Sequence, residues 1–360
     1  MRQRTVRSAL PVALVAFIAL GARDGMLGVA WPSMRAEFGQ PLAALGELAL
    51  AGTAGYLAGS GASGFLSDRF GTRALLIASA LATAAAVLAY AAAPVWPLMI
   101  VGALAGGLGA GGVDAGLNAY VALRHGPGPM NLLHGCYGIG ATLGPLALTA
   151  VLAGGLSWRL PYAGLLVLQL GLLIAYLLAR RAWGGRREAG GTVAGLVAIP
   201  WALVGVSLAM FFVYTAVEVA TGQWSYTFLT TARATPTTVA GLAVSAFWAG
   251  LTAGRLGAAL LGNRVGPLLL LHGSVAAVIA ALALFWWSPA PAVGFAGLVL
   301  AGVGLAPVFP AGSGGSLGPA GIGVLLQSAG TALLAPCLLV GGVALAGLNA
   351  LATALARGRD

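Results

Sequence analysis

Lysine is missing from this sequence, and charge of any kind is scarce. Only 7% of the 360 residues are charged, with 8 acidic residues against 18 basic ones, all of them arginine. A soluble domain carries about 25% charge, so a water-facing shell around a globular core is excluded. Polar–apolar alternation is also lacking, which argues against a membrane β-barrel. The two cysteines, Cys136 and Cys337, fall within apolar runs. They are read as small packing residues, not as disulfide partners or metal ligands. No H-E-x-x-H and no phosphate-binding G-x-x-x-x-G-K-[ST] occurs, so the motifs of zinc proteases and ATP-driven pumps are absent. No cofactor and no metal is expected.

What the chain has is apolar length. Hydrophobic residues make up 59% of it, and glycine accounts for 57 positions. So much glycine would weaken soluble helices, whereas between membrane helices small residues permit close approach. The fold class expected is an all-α membrane protein with twelve transmembrane helices in two pseudo-symmetric six-helix bundles. Crossings are read near 9–32, 42–65, 74–93, 96–123, 131–154, 160–180, 200–229, 239–262, 266–287, 291–310, 319–337 and 339–356, each near the ~20 residues that span a bilayer. Residues 319–356 hold barely enough chain for two, with Gly341-Gly342 as the hinge. The first run ends in Trp31-Pro32 without a small-residue cleavage pattern, so it is read as a span and not a signal peptide.

A net charge of +10 raises nucleic acid as a partner, but the arginines fit topology signals better. With the N-terminus in the cytoplasm, Arg69, Arg73, Arg124, Arg180, Arg181, Arg186, Arg187 and Arg264 fall inside, and Arg35, Arg159 and Arg233 outside. An even number of crossings also keeps Arg357 and Arg359 inside, following the positive-inside rule. The expected organisation is residues 1–182 as an N-terminal bundle, 183–199 as a cytoplasmic linker and 200–360 as a C-terminal bundle. Both termini are expected in the cytoplasm, in an inner membrane, with the protein a monomer whose partners are the bilayer, a small solute and a coupling ion, proton or sodium.

One stretch organises the rest: Gly64-Phe65-Leu66-Ser67-Asp68-Arg69-Phe70-Gly71-Thr72-Arg73. A weaker copy, Leu260-Leu261-Gly262-Asn263-Arg264-Val265-Gly266, follows 195 residues later. Leu104-Ala105-Gly106 similarly matches Leu300-Ala301-Gly302. A repeat of this kind in a hydrophobic chain is how many secondary transporters are built. Gly71 suits a left-handed cap on the second span, and Arg69 and Arg73 sit where helix-end carbonyls favour cations. Asp68 needs a partner at this waist, an arginine or a helix N-terminus. The bland alternative is a turn and topology anchor only.

The two six-helix halves, the basic linker and the Gly64–Arg73 motif resemble the major facilitator superfamily. In that family the loop gates the cytoplasmic side, which casts Asp68, Arg69, Gly71 and Arg73 as gating residues. Three further stretches are similar to the fucose- and glucose-type sugar porters: Asp114-Ala-Gly-Leu-Asn118, Met130-Asn131-Leu-Leu-His134-Gly-Cys-Tyr137-Gly138, and Tyr214-x-x-x-Glu218-x-x-x-Gly222-x-Trp224. The resemblance implies that Asp114 and Asn118 take part in proton coupling and sugar binding, with Asp24 the candidate acid of the first span. Gly144-Pro145 is followed by Leu-Ala-Leu-Thr, which departs from the signature frequent in antiporters of the family.

Ionisable groups within spans are costly and usually functional. Here they are Arg23, Asp24, Asp114, Glu218 and Arg255. A carboxyl group in a partly dehydrated cavity can load a proton from one face and release it to the other. Asp114 is the preferred proton site, with Glu218 or Asp24 as partner; the alternative is a permanent pair with an arginine, which for Asp24 the adjacent Arg23 offers. In the seventh span Tyr214, Glu218, Thr221 and Ser225 fall within an arc of about 60°. This aromatic–acid–hydroxyl face suits a hydroxylated ligand, unless the hydroxyls only bond their own helix. Asn131, His134 and Tyr137 are spaced along the fifth span, and Trp248 and Gln327 complete the candidate substrate contacts. Gly107-Leu-Gly-Ala-Gly-Gly112 mimics a dinucleotide motif, but no strand precedes it. Gly314-Gly-Ser316-Leu-Gly318 mimics a serine-nucleophile motif, but no histidine follows it.

The reading is not an enzyme but a secondary active transporter. It moves a small polar solute, a sugar by expectation, through alternating access with proton coupling. Efflux of a hydrophobic drug or metabolite is the alternative within the class, and a non-transporting receptor or scaffold the alternative outside it.

Overall fold

The computed structural model describes residues 9–125, 127–179, 183, 201–287, 290–307, 326–327 and 330–357. Eleven α-helices lie among them: α1 Ala9–Glu37, α2 Leu45–Phe70, α3 Thr72–Ala92, α4 Trp96–Arg124, α5 Pro127–Ala153, α6 Arg159–Leu178, α7 Trp201–Ala232, α8 Thr237–Val265, α9 Pro267–Trp287, α10 Pro291–Leu305 and α11 Leu334–Arg357. Nine segments among the described residues are long and apolar enough to cross a bilayer. Proline marks several starts: α4 and α10 carry it in their first two positions, where the missing N–H costs no hydrogen bond.

The basic turn after the second crossing shrinks to one residue. α2 runs through Phe70, the Gly71 N–H bonds the Ser67 carbonyl, and α3 begins at Thr72. Gly71 has φ 85° and ψ 151°. This is not the left-handed cap expected but the extended positive-φ region that is essentially restricted to glycine. Gly266, its repeat counterpart, has φ 81° and ψ 144°.

Glycine sockets hold the bundles together and set the repeat register. A Cβ on Gly107 of α4 would collide with the Gly52 carbonyl of α2, and one on Gly302 of α10 with the Phe247 carbonyl of α8. Gly55 meets Leu104 as Gly250 meets Val299, and Gly59 meets Leu108 as Gly254 meets Val303. Each pair repeats 195 residues on, so Gly107, not Gly106, corresponds to Gly302. The identical Leu-Ala-Gly letters lie 196 residues apart, one residue out of step with the contacts.

The halves meet along α1–α7 and α5–α8. Gly28 of α1 packs on Gly222 and Gln223 of α7. On α5 and α8, Gly138 receives Thr252 and Gly241 receives Thr149, a reciprocal pair of sockets.

The last crossing differs from expectation. α11 passes unbroken through Gly341-Gly342, and the bend precedes it at Gly330, φ 94°. Gly341 and Gly342 instead admit Val217 and Ile279. Residues 334–337, expected in the eleventh crossing, already belong to α11. Residues 319–325 of that crossing, and Ser316, lie outside the described residues. So does the linker except Trp183, which is buried with its ring 5.0 Å from Tyr120 and 5.5 Å from Tyr176.

Candidate functional site

Three carboxylates lie within the bundle, and their surroundings differ. Asp24 on α1 pairs with its neighbour Arg23 at 2.8 Å and accepts a bond from the Tyr137 hydroxyl of α5 at 3.2 Å. Arg23 also donates to the Gly106 carbonyl at 2.7 Å. A Cβ on Gly106 would lie 2.7 Å from Arg23 Nη1, so a side chain there would require the guanidinium to shift.

Glu218 on α7 pairs with Arg255 of α8 at 3.4 Å. Tyr214, one turn back on α7, is buried beside this pair. Tyr137, bonded to Asp24, is also within the electrostatic reach of Glu218 and Arg255.

Asp114 on α4 has neutral partners. The Tyr56 hydroxyl of α2 donates to one oxygen at 2.6 Å, and the Asn118 amide, one turn on, to the other at 2.9 Å. Among the described residues it has no ion-pair partner. The local sequence explains the arrangement. Gly111, Gly112 and Gly116 sink α4 against α2 and α3, and Gly111 brings it onto the backbone of Tyr56.

Beside these groups lies a cavity of about 230 Å³, lined by Asn131, His134 and Gly135 of α5, Thr252, Arg255, Leu256 and Ala258 of α8, and Ala306 and Pro307 after α10. It lies toward the helix ends that carry Gly71 and Gly266. The ring of His134 packs edge-on against Phe17 at 5.8 Å. Toward the opposite end the halves are closed by the Gly28–Gly222 crossing and by the Ala43 N–H, which donates to Gln327 Oε1 at 2.9 Å.

The expected site residues therefore separate. Asn131 and His134 line the cavity, Tyr137 bonds Asp24, Asn118 bonds Asp114, and Tyr214 adjoins Glu218. Thr221 is fully buried and donates to its own helix at Val217. Trp248 is buried against Gly222. Gln327 stands at the closed end, away from the cavity. Of the gating group, Arg73 donates to the carbonyls of Leu177 and Tyr176 at the end of α6, and Arg69 lies over the Phe70 ring. Asp68 is exposed and makes no ion pair among the described residues. Tyr56, Thr252 and the counter-ion role of Arg255 were missed. The lone tyrosine of the second span was the available signal for Tyr56.

The sequence profile of the Major Facilitator Superfamily matches residues 12–314. The chain belongs to that superfamily. It is an integral membrane transporter and not an enzyme, which removes the receptor or scaffold reading. Among solved structures, a bacterial homolog of the human lysosomal transporter Spinster, inward-facing and occupied, is similar with TM-score 0.68 at 13% identity, covering 97% of this chain and 96% of that one. The nucleoside transporter NupG is similar with TM-score 0.65 at 15% identity, covering 97% and 99%. A D-xylose-proton symporter is similar with TM-score 0.66 at 14% identity, covering 94% and 88%. At such identities the likeness concerns the fold. The class C tetracycline resistance protein of Escherichia coli is 34% identical over 135 residues, which are 35% of this chain and 32% of that protein. The match thus spans about a third of that relative's length.

Proposed function

We propose that the protein carries a small polar solute, a sugar or similar polyhydroxylated molecule, by alternating access coupled to protons. The carrying observation is Asp114, whose partners Tyr56 and Asn118 are both neutral. Asp24 and Glu218 each have an arginine that supports the ionised form. Asp114 has none among the described residues, so it is the acid for which a proton is the natural counter-ion.

The solute enters the cavity of about 230 Å³, below the ~300–1,000 Å³ of sites for drug-sized ligands. Asn131, His134 and Thr252 supply hydrogen-bonding groups suited to hydroxyls. Residues 1–182 and 200–360 rock as two bodies joined by the linker, with the protein acting as a monomer in an inner membrane. Arg69, Arg73, Arg124 and Arg264 support a cytoplasmic cavity end under the positive-inside rule, and on this reading both termini are cytoplasmic and the state is inward-facing. Asp68, Arg69, Gly71 and Arg73 gate that end.

The test is uptake into proteoliposomes under an imposed pH gradient. Uptake of glucose or xylose that follows the gradient supports the reading. Uptake insensitive to it leaves a uniporter or a sodium-coupled carrier. A second reading, efflux of a hydrophobic compound, is favoured by the partial likeness to a tetracycline resistance protein. It predicts that tetracycline, and not sugars, raises the thermal stability of the purified protein.

A further inference from the structure

Among the described residues the cavity wall carries an arginine and no acid. Arg255, His134, Asn131 and Thr252 are its polar lining residues. Asp24, Asp114 and Glu218 are not among its described lining residues. The Arg255–Glu218 contact is 3.4 Å, longer than the ~2.7–2.9 Å of a well-formed charge-assisted bond. The Glu218 side chain is only 9% exposed, against 19% for Arg255. The arginine therefore faces the opening with its resident carboxylate behind it.

We infer that the solute carries a carboxylate, as in a sugar acid, and that this group takes Arg255 in place of Glu218. This refines the polar-solute reading above and rests on it. A guanidinium presents a planar fork that matches a carboxylate, with the Asn131 amide and His134 in the same wall for the remaining hydroxyls. Displacement leaves Glu218 buried without its cation. A buried carboxylate in that position takes up a proton from water, since an unpaired buried charge is far more costly than a neutral acid. Binding of one carboxylate thus brings one proton onto Glu218 while the solute stays ionised, and the bound complex is neutral. The groups facing the pair are Tyr214 on α7 and Tyr137 and His134 on α5.

The experiment is calorimetry on the purified protein with gluconate, glucuronate and lactate against glucose, in two buffers of different ionisation enthalpy. The expected result is binding of at least one carboxylate with uptake of about one proton per site. Glu218→Gln keeps the binding and abolishes the proton uptake. Arg255→Gln weakens carboxylate binding by about tenfold or more, as for loss of a buried charge-assisted bond. Arg255→Lys guards against misfolding by keeping the charge, and it retains part of the binding. Glucose binding with no response to any of the three carboxylates overturns this inference and leaves the sugar reading intact. Binding of a carboxylate without proton uptake, or with uptake that survives Glu218→Gln, overturns the exchange. Response to tetracycline alone overturns both readings.

Discussion

Arg23 and Glu218 stand at the same position in the two halves, 195 residues apart, and carry opposite charges. Each is matched within its own half, Arg23 by Asp24 at 2.8 Å and Glu218 by Arg255 at 3.4 Å. Each of these pairs therefore closes within one half, and among the described residues Asp114 is the intramembrane acid without an ion-pair partner.

That balance makes Asp114→Asn the decisive substitution for coupling. Asparagine preserves the shape and can still bond Tyr56 and Asn118. We expect pH-driven accumulation to be lost while solute exchange between equal concentrations continues. Counterflow and gradient-driven uptake in the same proteoliposomes check this, and equal loss of both rates would remove the coupling role.

The glycine sockets predict paired effects across the repeat. Gly107→Ala and Gly302→Ala each force a methyl group into a carbonyl of the neighbouring helix. Each should destabilise by roughly 1–3 kcal/mol, the usual range for overpacking. Gly164→Ala, with open space around the position, should be neutral. Thermal unfolding in detergent compares the three.

Gly71 and Gly266 share a backbone conformation closed to other residues. Alanine at either position should cost roughly 1–3 kcal/mol of strain. Equal effects at the two sites, read from unfolding midpoints, would mark a common structural role. A larger loss of transport than of stability at Gly71 alone would mark a gating role.

The Ala43–Gln327 bond joins the halves at the closed end. Cysteines at these two positions should cross-link in this state and stop transport, with activity restored by reduction. Cross-linking without inhibition would mean that the end does not open during the cycle.

Asp68 makes no ion pair here among the described residues. If it gates, it acts in the opposite state. Asp68→Asn should slow turnover severalfold while leaving the solute dissociation constant of the purified protein within about twofold. A change confined to affinity would contradict the gating role.

Much of this protein was written in one dimension. Runs near 20 residues without charge must cross a bilayer, arginine placement biases their direction, and a glycine repeated at 71 and 266 announces two like halves. These are local properties, so the sequence by itself determined them. The partners of the buried charges were decided only by tertiary packing. Arg23 and Asp24 are neighbours in sequence, but Glu218 meets Arg255 across 37 residues and Tyr56 meets Asp114 across 58. In a membrane bundle the lipid-facing and buried faces are both apolar, so polarity does not mark which way a helix turns. Glycine sockets between helices fix that rotation, and with it which acid receives a cation and which is left for a proton.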